Sequence, residues 1–189
     1  MKISARDLSL VIVFAALLVV LNLLISRIPE SVSGIAGFGY LLTIFYSITL
    51  SVAYLMYGGR RWRIIAQALL YALIYTVLPI SSSAAATIPP LLATIVNAFT
   101  IDIVFNSFHG FFERRNRLQW WVILTQLYYW GTHSIWTLLL GSLLFFSFEM
   151  AFQFWFIPVM SVMLPVMIVE AVAGGYLGYK IYRRVEKIT

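Results

Sequence analysis

Residues 100–114 read TIDIVFNSFHGFFER. On a helix at 100° per residue, Asp102, Asn106, His109 and Glu113 fall within about 60° of one another. An acid, an amide, an imidazole and a second acid on one stripe could move a proton, conduct an ion, hold a ligand or join two helices. Two further ionisable groups sit in apolar surroundings: His133 in TQLYYWGTHSIWTLL and Glu170 in LPVMIVEAVAGGYLGYKIYRR. If Asp102, His133 and Glu170 reached one substrate, they would form an acid–base set. Other chemistries have no residues to carry them. There is no Cys, which excludes thiol catalysis, disulfides and thiolate metal sites. No GxxxxGK[ST] cradles a phosphate, no HExxH spaces metal ligands, and no GxSxG presents a serine. No metal site or cofactor is expected.

These groups lie in a chain that is 62% hydrophobic and 11% charged over 189 residues, with mean hydropathy +0.93. Soluble domains run near 45–50% apolar and about 25% charged. The composition predicts an all-α integral membrane protein of the cell membrane. A hydrocarbon core about 30 Å thick needs about 20 apolar residues of helix, and six stretches qualify: 8–26, 39–58, 64–80, 90–112, 119–146 and 157–182. They predict one six-helix bundle over residues 1–189, with a first helix that is retained and a kink at Pro165.

Alternate connectors carry 12 of the 13 basic residues, and Arg27 alone falls on the other side. Both termini are therefore expected to be cytoplasmic. The pI of 9.7 comes from 13 basic against 7 acidic residues, and their place in the connectors, not in one patch of a soluble surface, implies no nucleic-acid partner. Trp62, Trp120 and Trp121 at the inner interface and Trp155 at the outer one read as belt anchors. Counted from the cytoplasmic ends of their helices, Asp102, His133 and Glu170 are expected in one slab roughly 8 Å thick.

The fifth helix gathers Gln126, Tyr129, Trp130, His133, Trp136 and Thr137 on one face, which lipid does not solvate. Aromatic planes among a few hydrogen-bonding groups suit an aromatic small-molecule pocket. Gly174 and Gly178 form a GxxxG, and Ala68 and Ala72 a second small pair, both suited to close helix approach. The connector RIPESVSGIAGFGY holds Gly34, Gly37 and Gly39 among apolar residues, as a loop folding over a pocket mouth would. Asn106, His109 and Glu113 point toward the cytoplasm and read as an inter-helix seam with Asp102 at its upper end.

The six-helix plan, the opening ARDLSLVIVFAALLVVLNLLIS and the closing LPVMIVEAVAGGYLGYKIYRRVEK resemble the S components of energy-coupling-factor vitamin transporters. These are membrane-embedded substrate-binding subunits. The resemblance implies capture of a small aromatic vitamin or precursor in the outer half of the bundle, beneath the first outer loop. It implies inward delivery with a coupling membrane subunit and two ATPase subunits, so the chain itself is expected not to be an enzyme. Substrate contacts on helices 4–6 would map to Asn97, Trp130, His133, Trp136, Gln153 and Trp155, with Glu149 at the outer rim. Docking through small residues of the first helix would map to Ala5, Ser9, Ala15 and Ala16. Two other readings stay open: an intramembrane enzyme using Asp102, His133 and Glu170, and a ligand-free scaffold subunit.

Overall fold

In the computed structural model, residues 4–28, 32, 41–78, 84–145, 147–153 and 157–187 are described, and among them there is helix and no strand. The glycines at 34, 37 and 39 and Trp155 lie outside the described residues. Helix α1 (Ala5–Leu21) starts at Ser4, whose hydroxyl accepts the Asp7 N–H at 3.1 Å, and it runs on into a π turn over Asn22–Arg27. Next come α2 (Thr43–Tyr57), α3 (Arg63–Val77) and α4 (Ala84–Thr100). A second π turn over Ile101–Phe105 joins α4 to α5 (Asn106–Arg114). Helix α6 (Leu118–Leu144), the short α7 (Phe148–Ala151) and α8 (Ile157–Glu186) complete the order. Pro89 and Pro90 lie inside α4 and Pro165 inside α8.

Among the described residues, three helical stretches are long and apolar enough to cross a membrane: Ala5–Ser26, Thr87–Arg114 and Met163–Glu186. Helices α2 and α3 are apolar but only 15 residues each, about 22 Å long and shorter than expected. Their ends have local causes. Gly58 stops α2 in the left-handed conformation (φ 58°), which costs glycine little. Trp62 takes φ 71° just before α3, and Leu78 turns extended ahead of Pro79.

Around the bundle the helices follow the order α1, α3, α4, α6, α8, α2 and back to α1, while α2 also touches α6 and α3. Ten of the 15 residues of α2 are buried, which makes it the most enclosed strut. Its closest neighbour is α8, and the reason is a matched pair of small stripes. A Cβ added at Gly174 would come within 2.4 Å of the Ser47 Cβ, and one at Gly178 within 2.5 Å of the Ser51 Cβ. Only hydrogen at both positions lets the two backbones approach this closely.

One end of the bundle is basic. The start of α1, the α2–α3 turn and the start of α5 meet there through Asp7–Arg60 (2.7 Å) and a hydrogen bond from Arg61 to Ser107 (3.4 Å). The end of α8 joins them at a cleft of about 410 Å³ lined by Glu113, Asn116, Leu118, Tyr179, Arg183 and Glu186. Trp62 and Trp120 are exposed at this end, whereas Trp121 is 1% exposed. The expectation of a Trp121 belt anchor is therefore corrected. Its indole N–H donates to the Phe105 carbonyl at 2.8 Å and its ring meets His109 edge-on at 4.8 Å. Neighbouring residues on a helix point about 100° apart, so Trp120 can face out while Trp121 fills the core.

Candidate functional site

The acidic stripe is a seam. Asp102 accepts the backbone N–H of Ile65 at 2.8 Å, in the first turn of α3, and the side-chain amide of Asn106 at 2.7 Å. The first N–H groups of a helix have no partner within it, and here a carboxylate from another helix supplies one. His109 is buried against the α2–α3 turn, where a Cβ at Gly59 would come within 2.6 Å of the imidazole Cγ. Its Nδ1 lies 3.8 Å from a Glu113 carboxylate oxygen. Every member of the stripe touches another helix, its connecting turn or a neighbour within the stripe.

Glu170 does for α2 what Asp102 does for α3. Its carboxylate accepts the Thr43 hydroxyl at 2.5 Å and the Ile44 N–H at 3.2 Å. Asp102 thus sits beside the end of α2 that leads into α3, and Glu170 beside its start. The two carboxylates are separated by roughly the 20 Å length of α2. This corrects the expected 8 Å slab: α5 projects beyond the α2–α3 turn, so counting from its tip sets Asp102 too far into the bundle. An acid–base set of Asp102, His133 and Glu170 is not assembled.

The inward face of α6 holds a continuous aromatic cluster. Tyr129 stacks on His133 with centroids 5.5 Å apart and planes 14° from parallel. Trp130 meets His133 at 5.9 Å and Tyr129 at 5.0 Å, both edge-on. Tyr46 of α2 adds its edge to Trp130 at 6.0 Å, and its hydroxyl lies 2.9 Å from that of Ser26, in the π turn that follows α1. The cluster therefore lies in the half of the bundle away from the basic end. Trp136, one turn beyond His133, is half-buried.

Polar groups on this face divide into two kinds. On the α4 side they are joined. Asn97 donates to the Tyr129 carbonyl at 3.3 Å and accepts the Thr132 hydroxyl at 2.8 Å, and Tyr129 donates to Thr94 at 3.3 Å. Asn97 is completely buried and clamps α4 to α6. Toward α8 and α2 the groups are orphaned. Both amide atoms of Gln126, the Trp130 indole nitrogen, His133 Nδ1 and the Ser134 hydroxyl are buried without a hydrogen-bond partner. Buried polar atoms are satisfied in the great majority of cases, and among the described residues this face gathers five of the thirteen buried side-chain atoms that are not.

No family model matches the chain, and no curated protein or solved structure matches it.

Glu149 and Gln153 are exposed around α7, with a 3.4 Å hydrogen bond from the Gln153 amide to Glu149. Ala5, Ser9 and Ala16 lie on the exposed side of α1. Ala68, Ala72, Gly174 and Gly178 face inward, where their small size suits close approach between helices of the chain, and Ala15, expected on a docking surface of the first helix, is buried. One important residue escaped the sequence reading. Asp7 is 2% exposed and is held by Arg63 at 2.9 Å and Arg60 at 2.7 Å. The only signal was an acid in the first turn of an otherwise apolar helix, followed by three arginines in the second connector.

Proposed function

We propose that this chain is the substrate-binding subunit of an energy-coupling-factor importer in the cell membrane. It crosses the bilayer six times with both termini cytoplasmic, and it captures a small aromatic vitamin or precursor in the half of the bundle away from the basic end. The observation that carries this reading is the inward face of α6. There Tyr129, Trp130 and His133 form an aromatic wall, and Gln126, Trp130, His133 and Ser134 offer buried hydrogen-bonding atoms with no partner. A planar, polar ligand supplies what such a face lacks: a ring to stack and edges to hydrogen-bond.

Three further observations support it. Three helices are long and apolar enough to span. Arg60 and Arg61 of the α2–α3 turn and Arg183 at the end of α8 gather at one end, as the cytoplasmic side of a membrane protein requires. The sequence holds no phosphate-cradling loop, so energy must come from ATPase partners acting through a coupling membrane subunit. Exposed Ala5, Ser9 and Ala16 on α1 are the small residues available to such a subunit.

Equilibrium binding to the purified protein in detergent tests this. Thiamine, its pyrimidine precursor and riboflavin are the first candidates, followed by quenching of the tryptophan emission. A dissociation constant below roughly micromolar for one of them is expected. The proposal fails if no vitamin or precursor binds in that range.

A further inference from the structure

Resting on the proposed function, we infer that Gln126 reads the hydrogen-bonding edge of an uncharged heteroaromatic ligand. Gln126 is 0% exposed, and neither its amide oxygen nor its amide nitrogen has a partner. A carboxamide is a costly neutral group to bury unmet. One turn further on, the Trp130 indole N–H is also unmet, and one turn beyond that so is the hydroxyl of Ser134, itself 0% exposed. Residues i, i+4 and i+8 share one edge of a helix. This edge therefore presents an amide donor and acceptor, an indole donor and an adaptable hydroxyl.

None of these groups carries a full charge, and α6 from Leu118 to Leu144 contains no Asp, Glu, Lys or Arg. The inward carboxylates are committed elsewhere, Asp7 to Arg60 and Arg63. Asp102 is taken up by Ile65 and Asn106. Glu170 is taken up by Thr43 and Ile44 at the start of α2, where the helix dipole already offsets its charge. A carboxylate or a quaternary nitrogen lying against Gln126 would lose its water and gain no counter-charge. A neutral ring with a donor beside an acceptor, as in an aminopyrimidine or a cyclic imide, gains two hydrogen bonds from one carboxamide.

The test compares three probes on the full chain: neutral aminopyrimidine (the hydroxymethyl pyrimidine precursor), neutral riboflavin and cationic thiamine. Wild-type protein is expected to favour a neutral probe. Gln126→Leu is expected to weaken it by at least about tenfold, while the thermal midpoint stays level or rises because an unmet amide has been removed. If Gln126→Leu does not accumulate, Gln126→Met, of similar length, gives the same reading. A lower midpoint with unchanged affinity would make Gln126 a structural residue and overturn the inference, as would tighter thiamine binding that ignores the substitution. Both of those outcomes leave the binding-subunit reading standing. Failure of every probe to bind wild-type protein removes that reading and this inference together.

Discussion

Asp102 completes the first turn of a helix to which it does not belong, accepting the Ile65 N–H at 2.8 Å from 37 residues away. Its second oxygen is held by Asn106. A lost N-cap costs about 1–2 kcal/mol. Asp102→Ala is therefore expected to lower stability by at least this amount in a thermal or denaturant titration, with ligand affinity of the folded fraction unchanged. If affinity collapsed at unchanged stability, the acidic stripe would belong to the binding site after all.

His109 gives a second check on the same seam. It packs edge-on against Trp121 and closely against the turn at Gly59. His109→Leu is expected to reduce stability by about 1–2 kcal/mol through lost packing, again without a change in affinity. Loss of ligand binding in a protein of full stability would contradict the seam.

The Asp7 carboxylate faces two guanidiniums. Arg63 is almost as buried as Asp7, whereas Arg60 is 44% exposed, so water already screens that half of the cluster. Asp7→Ala leaves Arg63 buried without its counter-ion, which typically costs about 3–5 kcal/mol. The variant is expected to unfold at markedly lower temperature. Asp7→Ala combined with Arg63→Met should recover much of the loss, and a cycle showing no coupling between the two sites would refute the pairing.

Gly174→Ala sets a methyl carbon 2.4 Å from the Ser47 Cβ unless the helices part. Overpacking of this kind costs about 1–3 kcal/mol. Ser47→Gly in the same molecule should restore most of the stability. Failure of that rescue, measured by unfolding of the single and double variants, would place the cost somewhere other than the α2–α8 contact.

Tryptophan substitutions separate the site from the scaffold. Trp136→Ala is expected to weaken ligand binding by at least about tenfold, or about 1.4 kcal/mol. Trp120→Ala, at a residue 52% exposed, should change neither affinity nor stability. Trp121→Phe should destabilise the protein by loss of the hydrogen bond to Phe105. Equal effects of Trp136→Ala and Trp120→Ala on binding would reject the aromatic face as the site.

Much of the helical plan was legible because apolar runs and charged connectors are local properties. The runs at 8–26, 64–80, 119–146 and 157–182 each became helix within a few residues of their expected limits. What stayed hidden depended on partners distant in sequence. Nothing near Glu170 announces that its carboxylate meets Thr43, and nothing near Asp102 points to Ile65. Azimuth was harder to read than depth: Trp120 and Trp121 share a level, yet one is exposed and the other enclosed. On α6 the aromatic face was visible as a pattern. The division between the joined Asn97 side and the orphaned Gln126 side needed the neighbouring helices in place.

The borrowed cap on α2 also bears on how the molecule is made. Thr43 is added to the chain 127 residues before Glu170, and domains form from the N-terminus during synthesis. Until the last helix arrives, the most enclosed strut has an unfinished beginning and an empty groove along Ser47 and Ser51. Completion of the bundle therefore waits for the last helix, and a chain stopped before residue 170 should remain a substrate for quality-control proteases.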